Sequence, residues 1–396
     1  MPHRYVSRDI EKILMSSVKM FPSVIVTGPR QSGKTTLLKH LFSKTHSYVS
    51  MDNPDLRLMA INETELFFKN YKPPIIIDEV QYVPQIFSYI KMLIDKDRHE
   101  FGQFILTGSQ LFPLMANVGE SLAGRIGVFT LLPFSIEEQI NKNKPFNNDM
   151  LKRFTLRGGF PEVTLNKAIN PELWFAGYLQ TYLERDVRQL RQIGSLVDFQ
   201  RFLQLIAAFN GQAVNLSSLS RDLGVAINTI KAWLSVLEAS SQIILIKPFY
   251  LNKGKRIIKS PKIYFLDTGL LCYLSGISSI NQIFKGPLSG QLFETVVIGE
   301  IVKRFYNNGK IPKIYWWRTS YGEEVDFVIE DKGKITPIEV KLSANINMEM
   351  AKGLINFYNL FSDKIERGFL INLSQDKIKF NDKIESISFI DFAKLC

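Results

Sequence analysis

The chain has 396 residues, enough for two or three domains with separate cores. A hydrophobic content of 45% and a charged content of 22% are those of a soluble globular protein, and no apolar run of eighteen residues marks a spanning helix. Two cysteines, Cys272 and Cys396, exclude a disulfide framework and a thiolate metal site, whereas a net charge of +11 favours contact with nucleic acid or an anionic surface. The start, Met-Pro-His-Arg, has no signal-peptide core, so a cytoplasmic location is expected.

Residues 1–22 read as one helix, with Ile10, Ile13, Leu14 and Val18 at helical spacing and Phe21-Pro22 at its end. Val24-Ile25-Val26 then reads as a strand covered on both faces. Gly28, Pro29, Arg30, Gln31, Ser32, Gly33, Lys34 and Thr35 fit G-x-x-x-x-G-K-[ST] without a mismatch. Gly28 lets the chain leave the strand sharply, and Gly33 leaves room for a phosphate against the backbone. The loop N–H groups and the following helix N-terminus, which begins with Thr36, present positive potential to an anion. Lys34 is placed to reach β- and γ-phosphates, and Thr35 to put its hydroxyl on Mg²⁺. These residues point to a nucleoside triphosphate.

Tyr48 to Asp52 reads as a short strand with an acidic end, and 53–70 as helical. Ile75-Ile76-Ile77 is a second buried strand that delivers Asp78 and Glu79 at its carboxyl end, where ligands of parallel sheets gather. Asp78 is suited to hold Mg²⁺, and Glu79 to polarise the water that attacks a γ-phosphate. A third strand, Phe104-Ile-Leu-Thr107, is followed by Gly108 and Ser109, so Thr107 and Ser109 are both candidates to sense that phosphate.

These three segments resemble the Walker A, Walker B and sensor segments of AAA-type ATPases in the P-loop fold. Ser121-Leu-Ala-Gly-Arg125 followed by Leu132-Pro-Phe-Ser-Ile-Glu137 is similar to an archaeal and bacterial subgroup with a further C-terminal domain. The resemblance implies ATP and Mg²⁺ as cofactors. It also implies an arginine completing the γ-phosphate site from the same or a neighbouring subunit of a homo-oligomer. Arg125 is the candidate, with a surface salt bridge as the alternative.

Residues 137–194 are mainly helical, as expected of the helical lid behind such a core, with an interruption at Arg157-Gly-Gly-Phe-Pro-Glu162. From 197 the pattern is helix, helix, Gly224 turn and helix, then two strands at 243–246 and 262–265, the arrangement of a winged helix. Lys247, Lys253, Lys255, Arg256, Lys259 and Lys262 occur without an acidic residue between 247 and 262, which suits a DNA backbone or a solvated basic loop. Asn228, Thr229 and Lys231 are placed to read bases.

In the last part, a helix carrying Glu294 precedes a strand with Asp326 and a strand with Glu339-Val-Lys341. This order is similar to the PD-(D/E)xK nuclease core, and by that resemblance Glu294, Asp326, Glu339 and Lys341 form a Mg²⁺-dependent phosphodiester site. The expected architecture is therefore α/β: a P-loop ATPase (1–140), a helical lid (141–194), a winged helix (195–275) and a restriction-endonuclease-like α/β domain (276–396). Two functions follow, an ATPase driving a DNA-associated activity or an ATPase switch acting on a protein partner.

Overall fold

The computed structural model describes residues 5–108, 121–140, 146–183, 195–250 and 260–395. It divides into two units, one of residues 1–134 with 239–241 and 303–311, the other of 135–238, 242–302 and 312–396.

In the first unit the β-branched runs form strands β1 (Ser23–Thr27), β2 (Ser47–Ser50), β3 (Ile75–Asp78), β4 (Phe104–Thr107) and β5 (Ile126–Thr130). Every pairing is parallel, and the order is β2-β3-β4-β1-β5. Alternate residues feed opposite cores, as the strand period of two requires. Ile25, Ile75, Ile77 and Leu106 pack with Phe67, Phe87 and Ile90 on one face. Val24, Val26, Ile76 and Ile105 pack with Ile10, Leu14, Leu37 and Leu38 on the other. Insertion of β4 between β1 and β3 puts three strand ends side by side at the carboxyl edge of the sheet.

The expected helix over 1–22 is shorter, α1 (Glu11–Ser17). The Glu11 carboxylate gathers the Tyr5 hydroxyl at 2.8 Å and the Arg8 N–H at 2.6 Å, which holds the preceding chain in a turn. The helix following the loop is α2 (Lys34–Phe42), and 53–70 is two helices, α3 (Pro54–Asn62) and α4 (Thr64–Asn70), not one. Pro54 at the start of α3 follows Asn53, whose side chain caps it.

The second unit holds a seven-stranded mixed sheet of order β12-β11-β10-β9-β8-β6-β7. Its strands are β6 (Ile243–Pro248), β7 (Lys262–Phe265), β8 (Ile314–Arg318), β9 (Glu324–Asp331), β10 (Lys334–Val340), β11 (Gly368–Asn372) and β12 (Ile384–Ser388). Three helices, Leu196–Ala208, Leu216–Leu223 and Ile227–Ala239, precede the antiparallel pair β6–β7. That pair is not a free-standing hairpin, because β6 also pairs in parallel with β8 through Lys247 and Pro248. The sheet runs from β6 to β12 without a break, and the second unit begins at Ser135.

The Arg157–Glu162 interruption is a structural knot. Arg157 donates to the carbonyls of Val163, Asn166 and Ile169, and Asp267 accepts from the N–H groups of Gly159 and Leu270. A side chain at Gly158 would collide with that aspartate.

Candidate functional site

At the end of β1 the backbone turns at Gly28 with φ +132, and a Cβ there would lie 2.2 Å from the Leu131 carbonyl oxygen. Gly33 is left-handed at φ +94 and caps α2. Only glycine fits both requirements. Between them Pro29 and Ser32 are buried, Arg30 is half-buried with its Nη2 3.5 Å from the Tyr82 hydroxyl, and Gln31 and Thr36 are exposed. Lys34 is buried and lies over the loop, donating to the carbonyls of Gly28 at 3.0 Å and Pro29 at 2.8 Å.

One carboxylate organises the rest. Asp78, at the end of β3, accepts from the Thr35 hydroxyl at 2.9 Å and the Tyr48 hydroxyl at 2.8 Å, and from the Thr107 hydroxyl. Thr107 in turn accepts the Glu79 N–H at 3.0 Å. Of the two sensor candidates Thr107 stands at the site, and Ser109 lies outside the described residues. Glu79 sits in the left-handed region, φ +56, with its Oε2 taking the Gln81 amide. Partial burial and the neighbouring charges of Glu79 and Asp78 raise Asp52 above the usual carboxylate range. Burial and Asp78 likewise hold the Tyr48 hydroxyl in its protonated form.

The residues fit a phosphate and its cation. The Ser32 hydroxyl is buried with no hydrogen-bond partner among the described residues, the glycines leave the loop backbone bare, and Thr35 and Asp78 offer adjacent hard oxygens.

Arg125 does not join them. Its carbonyl accepts from Ser23 N, the first residue of β1, which places it at the opposite edge of the sheet, about 15 Å of strand from the loop. Its guanidinium is forked onto Asp95 at 2.8 and 3.1 Å. The salt-bridge alternative describes it, and within one chain it does not complete the γ-phosphate site.

Sequence reasoning missed Arg8, Tyr48 and Gln81. Arg8 is buried, donates to the carbonyls of Ser32 at 3.1 Å and Leu132 at 2.7 Å, and packs its guanidinium on Phe134. It braces the loop from behind. No local signal marks it, because it lies some twenty residues before the glycines.

A second acidic centre lies in the other unit. Glu294 comes from the helix Ser289–Asn307, Asp326 from β9 and Glu339 from β10; Asp326 and Glu339 are buried and Glu294 is half-buried. Antiparallel pairing of Phe327 with Ile338 sets Asp326 beside Glu339, and Asp326 accepts the Val340 N–H at 2.8 Å. Lys341 donates to Glu339 Oε1 at 2.6 Å, so these two share a face. The four expected residues are together, joined by Tyr264, whose hydroxyl donates to Glu294 at 2.8 Å, and by Lys262, which binds Glu324. Burial and the charge of Asp326 push Glu294 up to about 8. The same causes hold Glu339 well above the carboxylate range. Burial opposes the Lys262 ammonium, but Asp326, Glu324 and Glu294 outweigh it and keep it charged. Among the described residues no three His, Cys, Asp or Glu side chains converge as a metal-ligand set.

Lys262 corrects an expectation. It was grouped with the basic stretch 247–262, but it is buried and turned onto acidic partners. Lys247 is exposed, as are Asn228 and Lys231 on the helix Ile227–Ala239, with Thr229 half-buried. Lys253, Lys255, Arg256 and Lys259 lie outside the described residues.

Residues 20–140 match the family model described as an AAA domain, and 148–281 and 289–392 match two described as domains of unknown function, DUF8612 and DUF4143. The chain is similar to the uncharacterized proteins Rv2008c of Mycobacterium tuberculosis and Mb2031c of Mycobacterium bovis. Identity to each is 30% over 354 residues, covering 88% of this chain and 77% of the relative. Among solved structures it is similar to the Walker-type ATPase PABY2304 of Pyrococcus abyssi, with a TM-score of 0.48 and 16% identity over 68% of this chain and 96% of that one.

Proposed function

The chain belongs to the family of the mycobacterial proteins Rv2008c and Mb2031c and carries an AAA-type ATPase domain, and on that premise we propose that it hydrolyses ATP with Mg²⁺ to switch a nucleic-acid-directed activity of its second unit. The reading is carried by Asp78, whose carboxylate collects hydroxyls from α2, β2 and β4 at the mouth of the glycine loop.

Thr35 and Asp78 would hold Mg²⁺, which when bound neutralises charge on the β- and γ-phosphates. The loop amides and Lys34 bind and orient the triphosphate, Lys34 exchanging its carbonyl partners for phosphate oxygens. Glu79 takes a proton from the attacking water, with Gln81 setting the direction of its carboxylate. Thr107 connects Glu79 to Asp78, so a change at the γ-phosphate is felt at both acids.

In the second unit the proposal assigns the helices around Asn228, Thr229 and Lys231, with exposed Lys247, to nucleic-acid contact in the manner of a winged helix. Glu294, Asp326, Glu339 and Lys341 take the roles of a nuclease-like site. A second reading, a switch acting on a protein partner, is favoured by the burial of Lys262, which removes a cation from the expected DNA face.

ATP turnover measured with and without DNA across a salt series separates the two. We expect stimulation at low salt that fades as salt rises. No effect of DNA at any salt retires the nucleic-acid role and leaves the protein-partner switch. Absence of Mg²⁺-dependent cleavage by wild type in every nucleotide state, matching Glu339→Ala, retires the nuclease role alone.

A further inference from the structure

Arg125 is forked onto Asp95 and Arg8 is spent on the carbonyls of Ser32 and Leu132 behind the loop, so neither meets a phosphate at the mouth of the glycine loop within one chain. Arg30 is placed differently. It is the third residue of the glycine loop, half-buried, and its side chain leaves the loop toward the acid-bearing strand β3. Its Nη2 lies 3.5 Å from the hydroxyl of Tyr82. Tyr82 ends the turn Val80–Tyr82 that Glu79 opens, and its N–H donates to the Glu79 carbonyl at 3.2 Å. The guanidinium therefore spans from the phosphate loop to the turn that carries Glu79. Arg57, on α3, fixes the tyrosine: its Nε donates to the Met51 carbonyl at 2.8 Å, and its guanidinium lies 4.3 Å from the centre of the Tyr82 ring. Asp52 feels repulsion from Glu79 and Asp78 and attraction from Arg30 and Arg57, so these charges share one mouth.

We propose that Arg30 is the catalytic arginine of the γ-phosphate site, supplied in cis from inside the glycine loop and resting at the Tyr82 hydroxyl until a triphosphate arrives. The inference rests on reading the first unit as an ATPase, and adds which group meets the charge that shifts during hydrolysis. In that step water adds to the γ-phosphorus while the bond from that phosphorus to the bridging oxygen breaks. The electron pair of the broken bond goes to ADP, and the proton of the water goes to Glu79. Arg30 keeps its own proton throughout, since a guanidinium does not titrate in this range. Its planar fork exchanges the tyrosine hydroxyl for phosphate oxygens, and two parallel N–H groups follow the charge as it moves. Lys34 differs in role: it sits over the loop as a point charge and orients the bound triphosphate. Because Arg30 belongs to the loop that cradles the phosphates, this contact requires no second subunit.

The test is ATP hydrolysis by the full chain with Mg²⁺, read beside calorimetric binding of ATP and of ADP with aluminium fluoride. Arg30→Ala is expected to bind ATP within about threefold of wild type and to lose turnover by at least about 10²-fold. It should also lose tight binding of ADP with aluminium fluoride, a mimic of the phosphoryl group in flight that a merely structural residue leaves untouched. Arg30→Lys should recover no more than about a tenth of the activity, because an ammonium cannot fork onto two oxygens. A smaller loss of turnover in Arg30→Ala, with wild type active, overturns this assignment alone. Loss of ATP binding in both Arg30→Ala and Arg30→Gln also overturns it, since the arginine is then a ground-state contact or a fold element. Mixing Arg30→Ala with Glu79→Gln is expected to restore nothing; recovered turnover means that the arginine acts from a neighbouring subunit and overturns the cis placement. Wild type that binds ATP without hydrolysing it removes the ATPase reading and this assignment together.

Discussion

Asp78 in the first unit and Glu339 in the second are both buried carboxylates at or near the carboxyl end of a β-strand, and the protein solvates them differently. Asp78 receives three hydroxyl donors, so its charge is balanced by dipoles that a cation leaves in place. Glu339 has one ammonium and an oxygen with no partner among the described residues, and two more acidic side chains, Asp326 and Glu294, lie near it. Hydroxyls make an acid ready for a metal without strain; crowded acids need compensating cations inside the fold. The first centre is ringed by hydroxyl dipoles, the second by opposed charges.

The largest expected effect sharpens the first half of this contrast. Glu79→Gln should keep nucleotide affinity within about threefold and lower turnover by roughly 10²–10⁴-fold, read by calorimetry and phosphate release. Lys34→Ala should lose nucleotide binding itself. Equal loss of binding in both variants would remove Glu79 from the role of base.

Next comes the cradle. Gly28→Ala puts a Cβ 2.2 Å from a carbonyl oxygen at a φ that side chains rarely adopt. It should destabilise the first unit by about 3 kcal/mol, measured by scanning calorimetry.

The comparison is broken or kept most directly by swapping each acid for its amide. Asp78→Asn turns one of the two oxygens that serve three hydroxyls into a donor and should cost about 1–3 kcal/mol. Glu339→Gln puts a neutral amide where burial and Asp326 already favour the neutral acid, and should be neutral within about 1 kcal/mol, or stabilising. Comparable costs would mean the two centres are solvated alike.

The last contrast is in pH. Glu294 titrates near 8 in the fold against 4.5 in the open chain, so its neutral form is favoured by folding. That contribution is complete below pH 4.5 and is lost as pH rises through about 8. All four tryptophans, Trp174, Trp233, Trp316 and Trp317, lie in the second unit, so their fluorescence reports its melting separately. The midpoint should fall between pH 5 and 9, and less so in Glu294→Gln. An unchanged slope in that variant would place the pH dependence elsewhere.

The first centre was legible because its parts are contiguous. Gly28 to Thr35 carry their spacing within one loop, and Asp78-Glu79 follow directly on an isoleucine run that reads as a covered strand once the glycine loop precedes it. Even there the sequence left Thr107 and Ser109 level, and it placed Arg125 near a phosphate that the structure puts a full strand length away. The strand Lys262–Phe265 was legible as a strand, but the direction of Lys262 was not: charge counting assigned it to solvent, and the sheet turned it inward.

What this chain's sequence determines by itself is therefore local: strand runs, glycine positions that tolerate no side chain, and which acids end which strands. Tertiary structure alone decided which distant groups meet them. β4 had to insert between β1 and β3 before Thr107 could reach Asp78, and Arg8 had to fold back before it could brace Ser32. Pairing of β9 with β10 set Asp326 against Glu339, and Lys262 came from a strand more than sixty residues earlier. The reason is physical. Spacing along a chain constrains neighbours within a turn or a strand, whereas the burial of opposed charges depends on sheet order and register, which only the whole packed core selects.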